Sequence, residues 1–358
     1  MLAFQPYHSL IEMRRYAVRF MHQLHLIRSL RGILRTKYDQ YSSLIRPLEK
    51  YLADHGVNFV SGATVTDMDI RIDGNDKTVT ELHIGEGSDA QIVPVAEKDL
   101  VFFTNGSMTQ NSTQGSMTEA PVMNRDTVHK GCFSLWEKLA DKCPEYGHPE
   151  KFSFDPDKSN FVSCSVTVRD YPQFFDYLAE KTGNPTGKGG YSTFVDAPWF
   201  INYNVPLQPV APDQPENVQF MWFDGLHANN CGLEDKIDEI MPRKLKDRPE
   251  VIPNGNKNLA FIGQFVELEG DVVFTVETAV RTAMIAVYLL LHLDRPITPL
   301  FQGQYDIRMV NVALKTLLGK DKIEVSDLPK VNPLKLPQTM HEIVEAINQI
   351  PPVPEYYS

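Results

Sequence analysis

The 358-residue sequence contains no GxGxxG, no GxSxG, no HExxH and no CxxC. Each absence removes a class. Without GxGxxG, the glycine turn that cradles a dinucleotide pyrophosphate at a helix N-terminus is missing. Without GxSxG, no serine nucleophile sits on a strand-to-helix elbow. Without HExxH, paired cysteines or a histidine cluster at ligand spacing, no metal site is expected. Cysteine is scarce altogether. Cys132, Cys143, Cys164 and Cys231 are scattered, as in a reducing, intracellular compartment. Basic residues are outnumbered, 35 Lys and Arg against 46 Asp and Glu, for a formal charge of −11. That balance argues against nucleic acid as a partner. No uninterrupted apolar segment reaches the roughly 18 residues that span a bilayer. The nearest, "AMIAVYLLLHL" (Ala283 to Leu293), reads as a buried helix. The opening "MLAFQPYHSLIEMRRY" lacks the basic-then-apolar order of a secretory leader. A soluble cytoplasmic protein is the expectation.

What is present is an apolar content of 42%, enough for a sizeable core. Helical spacing of Leu10, Met13, Ala17, Phe20, Met21 and Leu24 predicts a helix over 10–30. A second helix is expected over 43–55, stopped by Gly56, and then a short strand at "VNFV", Val57 to Val60. "TDMDIRID" alternates apolar and polar residues, "DGND" supplies a turn and "TVTELHI" returns, which predicts a β-hairpin. "DLVFFT" (Asp99 to Thr104) does not alternate and reads as a strand buried on both faces. Residues 126–143 read as an amphipathic helix on which Cys132 packs with Leu135, Trp136 and Leu139. Residues 144–250 are mixed and often broken by Pro and Gly. The loop "TGNPTGKGG" resembles a P-loop but lacks its spacing, so an ordinary loop is expected. "LAFIG" followed by a loop and a long helix from about Phe274 reads either as an anion or cofactor site or as a plain strand-to-helix connection. Residues 305–318 predict a last amphipathic helix with Ile307, Val310, Leu314, Leu317 and Leu318 on one face and Gly319 as its stop. With Lys315, Lys320 and Lys322 nearby, this helix either packs on the body or touches a membrane surface.

Two features carry candidate chemistry. Tyr16 follows Arg14 and Arg15 on a helix, where a phenol beside cations can serve in acid–base work, or simply cover a helix surface. "FTNGSMTQNSTQGSMTEAP" (Phe103 to Pro121) leaves the apolar strand with Asn105, Gly106 and Ser107. Ligands bind open α/β sheets at this carboxyl edge, and Gly106 permits close backbone approach.

Five segments, "FTNGSMTQNSTQGS", "MLAFQPYHSLIEMRRY", "TKYDQYSSLI", "LAFIGQFVE" and "DVVFTVETAVRTAMIAVY", resemble the oleate hydratases, flavoproteins formerly called myosin-cross-reactive antigens. The resemblance implies an α/β chain: a partial glutathione-reductase-like FAD-binding fold, a mixed α+β substrate domain and a helical C-terminal part. It divides the chain into a helical substrate-channel segment (1–43), FAD-domain parts (44–128 and 255–293), a substrate domain (129–254) and a C-terminal helical region (294–358). It implies addition of water to the cis-9 double bond of oleate-like acids, giving 10-hydroxy acids, with FAD undergoing no net redox change. Tyr16 falls on the family's catalytic tyrosine, with Arg14 and Arg15 beside it as tuning or substrate-side groups. Gln40 matches a substrate-channel glutamine. Val65, Asn105, Gly106, Ser107, Asp271, Thr275 and Thr278 match positions around FAD.

The departures are equally specific. The Gly-rich dinucleotide unit and the Arg-Gly-Gly loop with the water-activating glutamate have no counterpart in this sequence, so the chain alone is expected to be inactive. In "PWFINYNVPLQPV" the family's carboxylate-binding set falls on Asn204, Pro206 and Val210, of which only Asn204 keeps a polar side chain. A non-catalytic lipid- or flavin-binding protein and a fatty acid isomerase are the competing readings. Membrane contact through 305–322 and homodimer formation stay open.

Overall fold

The computed structural model describes residues 4, 6–26, 32, 35–107, 109–110, 112–125, 131–153, 155–187, 191–194, 196, 201–225, 233–236, 241–273, 275–327 and 337–351. Helix α1 (Leu10–Arg19) starts at Ser9, whose hydroxyl accepts a hydrogen bond from the Glu12 N–H at 3.3 Å. The helix expected over 10–30 ends early, and the chain tightens into a 3-10 turn over Met21–Leu26. Tertiary packing decides this: His22 meets Phe301 edge-on at 5.3 Å, and helix α8 (Ile307–Leu318) packs on the turn. A π-helical turn (Tyr41–Ile45) precedes α2 (Arg46–Asp54), where Pro47 sits in the first turn and costs no intrahelical bond. Gly56 follows at φ +85°. The expected strand over Val57 to Val60 is not formed: no described residue pairs with it, and its apolar side chains are exposed.

The hairpin is as expected. Strands β1 (Val65–Asp73) and β2 (Asp76–Ile84) pair antiparallel around Gly74, and β3 (Gln91–Pro94) joins β2. Strand β4 (Val101–Thr104) runs parallel to β11 (Leu259–Ile262), with Phe103 opposite Phe261. Of the "VFF" run only Phe103 is buried, so β4 is covered on one face rather than two. Helix α3 (Gly131–Lys142) drives Phe133, Leu135, Trp136 and Leu139 into the core that holds Met68, Val79 and Phe261. Cys132 packs at its margin and donates its thiol to Gln110. The short α4 (Glu150–Ser153) adds Phe152, which stacks on Trp136 at 5.6 Å, and α5 (Pro156–Ser159) follows.

A six-stranded antiparallel sheet has the order β5-β10-β6-β9-β8-β7. Its strands are β5 (Thr113–Gln114), β6 (Asn160–Arg169), β7 (Tyr191–Thr193), β8 (Ile201–Asn204), β9 (Val218–Gly225) and β10 (Leu233–Lys236). Helix α6 (Gln173–Thr182) seats Phe175 against Tyr203, Val205 and Met221 on one face. The polar stretch after β4 is therefore no free spacer, because β5 lies within it and pairs with β10. Helix α7 (Val276–Leu290) follows β11, and α9 (Pro337–Gln349) follows α8. Helix α8 turns Met309, Asn311 and Ala313 inward and leaves Ile307 and Leu317 outside, unlike the face expected from its apolar spacing. The Asn311 amide donates to the Ile347 carbonyl at 3.2 Å, which fixes that rotation against α9. No helix among the described residues is long and apolar enough to cross a membrane.

Candidate functional site

Tyr16 is buried on α1. Its ring stacks on Phe20 at 5.9 Å and meets Phe4 edge-on at 5.4 Å. One helical turn earlier on the same buried face stands Glu12. Its Oε1 accepts from Arg243 Nε at 2.9 Å and Nη2 at 2.5 Å, with Arg248 Nη1 at 3.4 Å and Arg15 Nη1 at 3.9 Å. Glu267 closes the cluster, accepting from Arg15 Nη2 at 2.5 Å and Arg243 Nη1 at 2.7 Å. Three guanidinium groups thus face two carboxylates out of water, and Glu12 Oε2 has no hydrogen-bond partner among the described residues. Arg14, by contrast, is exposed. The cluster joins α1, the 241–248 segment and the loop after β11 into one frame around Tyr16.

Sequence reading missed Glu12, Arg243, Arg248 and Glu267. "PRKLKDRPE" reads as a solvated charged loop, and nothing in its spacing says that two of its arginines are buried. The only usable signal was a glutamate four residues before Tyr16 on the same helix.

A second tether links α1 to α7. Glu277 accepts from Arg19 Nη2 at 2.5 Å and from Arg281 Nη2 at 2.7 Å. Burial would raise the Glu277 carboxyl, but Arg281 and Arg19 hold it below the ordinary value of 4.5. A carboxyl lowered in the fold stabilises it above its unfolded pKa, and that contribution is lost as pH falls through the folded value. The melting-temperature gap between wild type and Glu277→Gln is therefore expected to be present at pH 7 and to close as pH falls below the ordinary carboxyl value and through the lowered folded one in a thermal series.

The carboxyl ends of β4 and β11 lie side by side. There Asn105 is fully buried and donates its Nδ2 to the Phe265 carbonyl at 2.9 Å, while its Oδ1 has no partner among the described residues. Gly106 lies flush with the Phe265 ring, and an added Cβ would come within 2.5 Å of it. Ser107 is half-buried, with its hydroxyl 3.2 Å from Thr109 Oγ1. Gly263 turns at φ +99° and donates its N–H to Thr282 Oγ1 at 2.9 Å. Asp271 is buried at the approach to α7, with Oδ1 accepting from the Val272 N–H at 2.8 Å and Oδ2 lying 3.4 Å from Arg281 Nε. Thr275 caps α7 by accepting the Thr278 N–H, and Thr278 donates its hydroxyl to the Val272 carbonyl. Asn105, Gly106, Ser107 and the Gly263–Phe265 turn thus form one edge. Val65 starts β1 on the hairpin sheet and packs against the main core. Replacing Gly106 by Ala is expected to destabilise the chain by roughly 1–3 kcal/mol in urea unfolding, because the ring or the strand end must shift.

The 35–45 segment crosses to the six-stranded sheet. The Asp39 N–H donates to the Val210 carbonyl at 2.7 Å, and Arg35 Nη1 donates to Asn204 Oδ1 at 3.4 Å. Asn204 and Asn202 are buried, and Pro206 lies just beyond. Gln40 is exposed at the start of the π-helical turn. On the hairpin, Asp69, Glu81 and His83 bring ligand atoms within 4.8 Å of one another. His83 already hydrogen-bonds Asp69 at 3.0 Å, and Lys142 lies 4.0 Å from that carboxylate, so the charge is balanced by protein groups. Lys320, in the segment expected either to pack on the body or to touch a membrane surface, is taken by Asp327 at 2.8 Å.

Comparison with known proteins places these segments. The family model described as MCRA matches residues 1–234 and 236–288. The chain is 34% identical to the oleate hydratase of Streptococcus pyogenes serotype M49 (strain NZ131), over 92% of this chain and 64% of that protein. It is 28% identical to the linoleate hydratase of Lactiplantibacillus plantarum, over 80% of this chain and 61% of that protein. The chain spans less than two thirds of the length of the curated relatives it matches.

Proposed function

The chain belongs to the MCRA family, and from that premise we propose that it carries the substrate-handling part of a fatty acid hydratase that adds water to the cis-9 double bond of an oleate-like acid. The observation that carries this reading is Tyr16, a phenol buried between two rings on a helix that Glu12 and Arg15 tie to Arg243, Arg248 and Glu267. Hydration of an unactivated alkene needs a positioned proton donor in a dry pocket. Tyr16 donates that proton to one alkene carbon, and water adds to the other with loss of its own proton to a base. The frame of Glu12, Arg15, Arg243 and Glu267 holds the donor's helix in place while water is excluded. At the six-stranded sheet, Asn204 on β8 and Arg35 on the 35–45 segment that carries Gln40 offer donors for the acid's carboxylate.

FAD fits the edge formed by β4 and β11. Among the described residues Asn105 Oδ1 is a buried acceptor without a partner, and Asp271 stands at the approach to α7. If bound there, the flavin would supply shape and charge without net electron transfer. The water-activating glutamate and the Gly-rich pyrophosphate cradle have no counterpart in these 358 residues. Turnover is therefore assigned to the chain combined with a polypeptide that provides them. The test is mass spectrometry of oleate incubated with FAD and the chain, with and without the portion of the streptococcal relative that this chain does not span. A product heavier by one water in the combined sample supports hydration. A product of unchanged mass points to isomerisation, and no product in either sample rejects the enzymatic reading.

A further inference from the structure

Helix α1 is gripped at two points by arginines that flank Tyr16. Arg15 and Arg19 stand four residues apart, so they project from the same side of the helix. Arg15 Nη2 reaches Glu267 Oε1 at 2.5 Å, and Arg19 Nη2 reaches Glu277 Oε2 at 2.5 Å. Glu267 lies in the loop between β11 and α7, and Glu277 lies in the first turn of α7. The same loop carries Phe265, whose carbonyl takes the Asn105 amide at the end of β4. Helix α1 therefore clasps the segment that shapes the β4–β11 edge.

The two grips differ in kind. The Arg15 grip belongs to the buried cluster of Glu12, Arg243 and Glu267, on which the fold depends. The Arg19 grip is open to water, with side chains 15% and 45% exposed for Arg19 and Glu277. A pair this open adds little to stability. Its geometry is nonetheless fixed from behind. Glu277 Oε1 accepts from Arg281 Nη2 at 2.7 Å, so each carboxylate oxygen faces a different guanidinium. Arg281 in turn donates Nη1 to the Thr298 carbonyl and lies with Nε 3.4 Å from buried Asp271. Arg19 is the last residue of α1, and the Phe20 N–H that closes this turn donates to the Tyr16 carbonyl at 3.0 Å. The turn that Arg19 ties to α7 is the turn that carries Tyr16.

We propose that Arg19 and Glu277 are positioning residues for Tyr16. Their pair locks the last turn of α1 against α7 and so sets the reach of the phenol toward the β4–β11 edge. The pair acts through the helix and moves no proton itself. The inference rests on the hydration reading and deepens it: a donor misplaced by about 1 Å loses up to roughly 100-fold in rate.

The test uses the chain combined with the polypeptide that completes it, with oleate and FAD. Arg19→Met keeps the aliphatic stem and removes the charge. Its kcat is expected to fall at least about tenfold while KM for oleate stays within about twofold. Its melting temperature should stay within about 3 °C of wild type. Glu277→Gln should lower kcat over the same range at pH 7, and combining the two changes should add no further loss. Arg19→Lys, which keeps the charge opposite Glu277, should recover most of the lost kcat. A second arm needs no turnover: deuterium exchange of the Phe20 amide should be at least about threefold faster in Arg19→Met than in wild type, and near wild type in Arg19→Lys. Should wild type add no water to oleate, the hydration reading falls and the exchange arm alone decides whether the clasp exists. Unchanged Phe20 exchange in Arg19→Met overturns the proposal in either case. With an active wild type, so does an unchanged kcat, a Lys variant no better than Met, or a loss of kcat that comes with a melting temperature lowered well beyond that range.

Discussion

Replacing Tyr16 by Phe is expected to cut hydration of oleate by about 10²–10⁴-fold, the range that a positioned acid or base contributes. The comparison is made in the chain supplied with the polypeptide that completes it. The substitution isolates the chemistry because the packing survives it. The Tyr16 ring is held by Phe4 and Phe20, and Phe keeps those contacts. Only the hydroxyl is lost, which costs roughly 1 kcal/mol of stability. Circular dichroism and the urea midpoint should therefore stay close to wild type while product disappears. Turnover unchanged in the variant would remove Tyr16 from the mechanism.

The second large effect falls on stability. Glu12→Ala is expected to destabilise the chain by roughly 3–5 kcal/mol, read from urea unfolding followed by circular dichroism. Glu12 is fully buried and takes two hydrogen bonds from the Arg243 guanidinium, whose side chain is also out of water. Removing the carboxylate leaves Arg15 and Arg243 sharing Glu267 and takes from Arg248 the carboxylate 3.4 Å from its Nη1. The desolvation cost of those charges remains while half of the compensating charge is gone. Pairing Glu12→Ala with Arg243→Met is expected to recover part of the loss, because a removed pair leaves fewer uncompensated charges than a broken one. Equal losses in the single and double variants would show that the cluster holds the fold by packing rather than by charge.

Local elements followed from local pattern. The β-hairpin was legible because Met68, Ile70 and Ile72 alternate with charged residues and Gly74 allows the turn. The α3 core face, the α7 start expected near Phe274 and found at Val276, and the α8 stop at Gly319 were legible for the same kind of reason: apolar spacing and a positive-φ glycine are written in a few adjacent residues. The family was legible because its segments are long and occur in order, and the matched family model bears it out. The 57–60 strand was misread because a strand depends on a partner that may lie anywhere in sequence, and none of the described residues supplies one.

By itself, then, the sequence determined its acidic charge, its few scattered cysteines, its hairpin and helix ends, and its family. Those follow from composition and from neighbours within a turn or a pleat. The tertiary structure alone decided that Glu12 meets Arg243 across 231 positions and that Asn105 meets the Phe265 carbonyl across 160. It alone drew α3, Tyr146 and Phe152 into the same core as β1 and β11. Burial converts such distant charges and amides from solvated surface groups into a frame, and burial is a property of the packed chain that no local spacing encodes.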